Sequence, residues 1–346
     1  MTKTIIAWDL GATNCTAGII EHTEDSRDFV CSKRHSLKLT HTECLEDLVE
    51  QLESALAIKM NNADAICIGA AGQYNGNELY HHNPYPYSMH FGQLAKSLQW
   101  PPYAVIHDYA TIVCATFTSY LEESQNTKRL NLCDLQPYGR RVACGIGTGL
   151  GLKDGILFPD GNFWLGTNEA GHIGVTTPPN AAPEELLRHR EIMRFLREDS
   201  SSFVTFEKIL SGQGIVRLHQ FLYPSTANMT PEEVGTHILS GKTEELNAAF
   251  AWYAGLFIGT VQLAFMPEGG TWITGGVTIN HLHFFDRPDF FAGIHASPAY
   301  LTQRAQYPIG VLCNPDHALI GGGYYAARML ITNSGEVTQL SSAEVI

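Results

Sequence analysis

One local pattern constrains this chain more than any other. A buried strand stops at a carboxylate, turns through small residues and comes back at once as a second strand. Residues 4–9 end in Asp9, the turn is Gly11-Ala12-Thr13-Asn14, and residues 15–20 return. An apolar run broken by a glycine turn and then resumed marks a hairpin. The pattern recurs in mid-chain, where residues 142–146 turn at Gly147-Thr148-Gly149 and resume over 150–157. Around these hairpins, Leu45, Leu48, Val49, Leu52 and Leu56 stand at helical spacing, and residues 65–69 and 103–108 read as further buried strands. Helices are expected over 183–197, from Phe206 to the glycines at 212–214, over 231–239 and over 318–330. Residues 271–274 form a strand that enters the pair Gly275-Gly276, and the polar tail after Asn333 is expected to fray. Alternating strands and helices give the α/β class.

At 346 residues and 44% apolar side chains, the chain can build two domains of ~100–200 residues each. A net charge of −13, with only 16% of residues charged, argues against nucleic acid or an anionic membrane surface as a partner. The eight cysteines stand singly without CxxC spacing, which predicts buried free thiols in a reducing cytosol instead of disulfides or zinc. The chain reaches Asp9 before a signal-peptide core could be completed. One segment, 249–266, is long and apolar enough to cross a bilayer, with Thr260 and Gln262 among aliphatic and aromatic side chains. It is solitary, follows Glu244-Glu245 and carries Gly255 and Gly259 for close packing. A buried helix is therefore expected, with no membrane partner.

Several motifs fail on spacing. Gly241-Lys242-Thr243 resembles the end of a P-loop, but five positions earlier stands Thr236, and Gly235 is one place off. A helix closed by Gly241, with Thr243 capping the next, explains the same residues. The run 145–150 misses G-x-G-x-x-G because position 150 is leucine. Glu169-Ala170-Gly171-His172 is a single Glu-x-x-His in glycine-rich sequence, whereas a di-iron bundle needs two on facing helices. His81-His82 and His281-Leu282-His283 lack partners at ligand spacing and read as surface histidines. No transition metal is assigned.

The glycine turns carry chemistry of their own. Asp9 at a strand end, followed by Gly11, Ala12, Thr13 and Asn14, lets backbone N–H groups approach phosphate oxygens, with the Thr13 hydroxyl as a further donor. Gly147, Thr148 and Gly149 repeat the device, and Gly275-Gly276 supplies a third turn. In this order the motifs resemble those of the bacterial glucokinases, within the hexokinase–actin superfamily, from Ile5 to about Met329. Residues 9–14 are similar to the family's first phosphate motif, 145–151 to its second and 273–276 to its adenosine motif. Asp108 stands where the family has its catalytic aspartate. Residues 169–172 resemble its sugar-binding Glu-Gly-Gly-His, and Glu207 falls in the segment that carries its second sugar-binding glutamate.

The resemblance implies two α/β lobes of ribonuclease H-like architecture (the actin and hexokinase fold) with a ligand cleft between them. The small domain would be 1–112 plus 324–346 and the large one 113–323. It implies ATP-dependent phosphorylation of the 6-hydroxyl of glucose, the entry step of glycolysis, by a cytoplasmic homodimer. Asp108 would be the base, His107, Asp108, Glu169, His172 and Glu207 would bind the sugar, and Asp9 would hold Mg²⁺ through water. Gly11, Ala12, Thr13, Asn14, Gly147, Thr148, Gly149, Gly275 and Gly276, with Asp9, would bind ATP. Three positions depart from the family: His107 replaces an asparagine, and Ala12 and Ala170 replace glycines. The related repressor and kinase branch with a cysteine-rich zinc motif is excluded, because no cysteine lies between Cys144 and Cys313. The alternatives are a kinase of another hexose and a catalytically weak sugar-binding sensor. An actin-like assembling ATPase would leave Glu169, His172 and Glu207 without a purpose.

Overall fold

The structure is a computed structural model that describes residues 2–24, 26–81, 85–198 and 203–333. In chain order its elements are β1 (Thr2–Leu10), β2 (Asn14–Thr23), β3 (Phe29–Lys38), α1 (Leu45–Leu56), β4 (Ala65–Ala70), β5 (Gln73–Tyr74), β6 (Leu79–Tyr80), α2 (Phe91–Ser97), β7 (Tyr103–His107) and α3 (Asp108–Ala115). There follow β8 (Thr127–Arg129), β9 (Arg141–Ile146), β10 (Leu150–Leu157), β11 (Phe163–Leu165), α4 (Pro183–Glu198), α5 (Gly212–Leu222), α6 (Pro231–Leu239) and α7 (Glu244–Phe265). The chain closes with β12 (Thr271–Thr274), α8 (Gly276–Asn280), α9 (Pro288–His295), α10 (Leu301–Arg304), β13 (Ile309–Leu312) and α11 (His317–Asn333). It divides into one unit of Met1–Thr127 with Asn314–Ile346 and a second of Lys128–Cys313. The boundaries thus differ from the 112/113 and 323/324 expected from sequence. A cut at 112 would split α3, which packs along α11 as one layer against β1 and β4.

In the first unit the strand order is β3-β2-β1-β4-β7. β1 runs antiparallel to β2 and parallel to β4, which is parallel to β7. Alternate residues of a strand face opposite sides. Ile6, Trp8 and Leu10 of β1 join Ile66 and Ile68 of β4 against Leu45, Leu48, Val49 and Leu52 of α1. The first hairpin forms as its sequence predicts, with Leu10 paired to Cys15.

The second unit repeats the order as β11-β10-β9-β12-β13, with β8 added at the edge. Again a hairpin, β9 with β10, stands beside parallel neighbours, β12 and β13. The apolar segment up to Phe265 lies within α7, with Met266 just past its end, and the side chains of α7 are mostly buried in this unit's core. At Gly255 a side-chain Cβ would come within 1.8 Å of the Phe290 carbonyl oxygen on α9, so glycine is what lets these two helices touch.

Four local expectations are corrected. The helix expected from Phe206 starts at Gly212, with the Ser211 hydroxyl accepting the Gly214 N–H at 3.1 Å; residues 206–210 form turns instead. Gly241 does follow α6 in the left-handed region, φ 73°, but the Thr243 hydroxyl bonds the Asn247 side chain at 3.1 Å instead of capping α7. The histidines read as surface residues are not exposed: His281 is buried with its ring 5.2 Å from that of Phe284, and His81 and His283 are half-buried. All eight cysteines are free, but only Cys15, Cys67, Cys114 and Cys144 are buried. His82 and the tail after Asn333 lie outside the described residues. Among the described residues, no three His, Cys, Asp or Glu side chains cluster to hold a metal.

Candidate active site

In the first unit the acidic residues stand at one end of parallel strands. Asp9 is the penultimate residue of β1, and Asp108 opens α3 directly after β7. Burial, and behind it the charge of Asp108, pushes the Asp9 pKa from 3.8 up to about 6. Asp108 Oδ1 accepts the Tyr109 N–H at 2.9 Å and lies 2.7 Å from His107 Nδ1. A protonated Nδ1 can donate to that carboxylate oxygen, whereas a bare Nδ1 accepts the Tyr109 N–H at 3.3 Å, so the two roles of Nδ1 are exclusive. His107 also occupies the cap position of α3, with its Nδ1 3.3 Å from the Tyr109 nitrogen.

The Gly11–Asn14 turn is held by backbone bonds, Gly11 N–H to the Asn14 oxygen at 3.0 Å and Leu39 N–H to the Thr13 oxygen at 2.9 Å. Thr13 and Asn14 are exposed. Ala12 is not among the residues with positive φ, so its methyl group fits where the family has glycine. Sequence reasoning missed Tyr85, whose hydroxyl donates to the Ala71 oxygen at 2.6 Å. Burial, with Asp108 as the next cause, raises its phenol pKa. No spacing in the sequence connects Tyr85 with Asp108.

In the second unit the other candidates gather on the β9–β10 hairpin. Glu207 Oε2 accepts the Leu150 N–H at 3.0 Å, and the Glu207 N–H donates to the Gly171 oxygen at 3.0 Å. His172 Nδ1 lies 3.6 Å from Glu207 Oε1, and the His172 N–H donates to the Glu169 oxygen at 3.1 Å. Gly275 adopts φ 97°, and a Cβ there would sit 2.4 Å from the Ile146 oxygen. This close approach sets Gly275-Gly276 against Gly147, Thr148 and Gly149. The Gly212 N–H donates to the Gly147 oxygen at 2.8 Å, so the start of α5 abuts the same turn.

A support for this cluster also escaped the sequence. The buried Asp154 faces Arg140 Nε at 3.6 Å and accepts from the Asn168 amide at 3.3 Å; the Asn168 side-chain oxygen in turn accepts the Ala170 N–H at 3.3 Å. Burial raises the Asp154 pKa, and Arg140 opposes that rise. The network fixes the segment that delivers Glu169. Its one visible signal is the charged pair Lys153-Asp154 inside an otherwise apolar strand.

The glucokinase family model matches residues 6–329. The chain belongs to the glucokinase family. The glucokinase of Yersinia pestis (strain Pestoides F) is 24% identical over 338 residues, covering 95% of this chain and 98% of that protein. A glucokinase from an Antarctic psychrotroph superposes with a TM-score of 0.78 at 18% identity, over 94% of this chain and 99% of that one. A ROK family glucokinase from Streptomyces griseus, solved with glucose and AMPPNP, gives a TM-score of 0.62 at 16% identity, over 94% and 99%. The fold is that of the glucokinases, and in this chain the strand order of the first unit is repeated in the second.

Proposed function

We propose that this glucokinase-family chain transfers the γ-phosphoryl group of ATP to the 6-hydroxyl of glucose or a closely related aldohexose. The observation that carries this is Asp108, a carboxylate at the end of β7 that is held by His107 and by the Tyr109 N–H. Phosphoryl transfer to an alcohol needs a positioned base, charge on the phosphates and a fixed acceptor. Asp108 accepts the proton of the sugar hydroxyl, and His107 orients it while its other ring nitrogen is left for the sugar. Glu169, His172 and Glu207 bind the remaining hydroxyls, each able to accept or donate at a fixed position.

Asp9, Gly11, Ala12, Thr13 and Asn14, together with Gly147, Thr148 and Gly149, receive the phosphates, and Gly275-Gly276 the adenosine. Asp9 fits a divalent cation held through water, because its burial and the charge of Asp108 oppose ionisation and a cation relieves both. When bound, Mg²⁺ supplies charge neutralisation to the phosphates. The Streptomyces griseus complex with glucose and AMPPNP supports this choice of substrates. A cytoplasmic homodimer completes the proposal.

The direct test is ADP release with ATP and Mg²⁺ against a panel of hexoses. Glucose is expected to give the highest kcat/KM. If no hexose raises ADP release above the sugar-free rate, the proposal fails.

A further inference from the structure

Away from the residues described so far, the second unit carries a cavity of about 420 Å³ along α4. Thr177, His189, Arg190, Met193, Arg194 and Arg197 line it, together with Val175. Arg190, Arg194 and Arg197 are exposed and recur at the three- and four-residue intervals that put side chains on one helix face. Like charges at that spacing repel. Among the described residues none of the three is paired with a carboxylate, although the chain has 35 acidic residues against 22 lysines and arginines. His189 is buried, and its Nδ1 is hydrogen-bonded to the Tyr253 hydroxyl at 3.0 Å. Burial, then Arg190 and Arg197, lowers its pKa, so the ring lines the cavity as a neutral group.

We propose that this basin binds a small, multiply charged organic phosphate. Guanidinium groups match phosphate oxygens with two parallel donors and stay charged at any physiological pH. The volume falls in the range of small-molecule sites. Three fixed positive charges call for more than one negative charge on the ligand. The Val175 and Met193 side chains and the Thr177 hydroxyl suit a hydroxylated carbon frame, which an inorganic anion lacks. The basin shares no residue with the proposed catalytic groups, so its ligand is an effector and not a substrate.

The test is thermal unfolding of the full chain titrated with fructose 1,6-bisphosphate, with pyrophosphate, and with sodium chloride at matched ionic strength. Saturable stabilisation follows RT ln(1 + [L]/Kd). The bisphosphate is expected to stabilise saturably and at lower concentration than pyrophosphate. In Arg190→Gln/Arg194→Gln its apparent Kd should weaken by about tenfold or more, since each lost charged hydrogen bond removes roughly that factor. Arg197→Gln, a single exposed change, repeats the measurement should the double variant fold poorly. The site is refuted if the bisphosphate does no more than chloride, or if the arginine variants bind it undiminished. Tighter binding of pyrophosphate at the same arginines would refute the organic class.

Discussion

At the residue scale, Asp9 is a carboxylate that the fold makes costly. Its pKa is about 6 in the folded chain against 3.8 as the ordinary value, so the native state holds its proton more tightly than the unfolded state does. The penalty is absent below about pH 4, grows as pH rises to about 6 and is complete above that. Asp9→Asn should therefore raise the Tm of the protein at pH 8, leave it nearly unchanged at pH 4 and abolish Mg²⁺-dependent turnover. An equal Tm gain at both pH values would contradict the burial argument. His107 offers a second test. With its Nδ1 2.7 Å from Asp108, His107→Ala should lower kcat by about tenfold or more. A sugar contact alone would raise KM and leave kcat intact. At this scale motif order pointed to Asp108, Glu169, His172 and Glu207, whose roles belong to the proposal; the structure sets Asp108 directly after β7 and His172 Nδ1 3.6 Å from Glu207 Oε1. The 2.7 Å approach of His107 to Asp108 was not legible, because it depends on how the backbone turns from β7 into α3, which the sequence alone does not give. Tyr85 and Asp154 were invisible because their partners are distant in sequence.

At the element scale, the two hairpins were readable because apolar runs break at glycine and threonine and then resume, and they form with nearly the expected limits. β3 was missed. It is a polar strand with charged residues along Phe29–Lys38, the composition that guards a sheet edge, and it lacks the apolar alternation that announces a strand. The helix expected from Phe206 failed for a different reason. Phe206, Ile209 and Leu210 are buried as a helical face would be, but the segment turns to bring the Glu207 carboxylate to the Leu150 N–H. The apolar helix α7 gives a stability test. Gly255→Ala would place a methyl group against the Phe290 oxygen and should cost about 1–3 kcal/mol in chemical denaturation. Unchanged stability would show that α7 and α9 do not pack at that point.

At the scale of the whole molecule, the hairpin that recurs in the sequence is found once in each unit, and the structure adds that the strand order around it is repeated as well. The unit boundaries were less legible, since they depend on α3 packing along α11, a contact between distant parts of the chain. A recurring hairpin can be read from a local pattern, whereas sheet order and a unit boundary require knowing which distant strands and helices pack together. The central claim is that Asp108 is the base for phosphoryl transfer to a sugar. Asp108→Asn keeps a hydrogen-bonding side chain of nearly the same shape but cannot take the proton. Its turnover with ATP, Mg²⁺ and glucose should fall by about 10²–10⁴-fold, while calorimetry should find glucose bound within about tenfold of the unchanged protein. Turnover near the original rate in that variant would contradict the account.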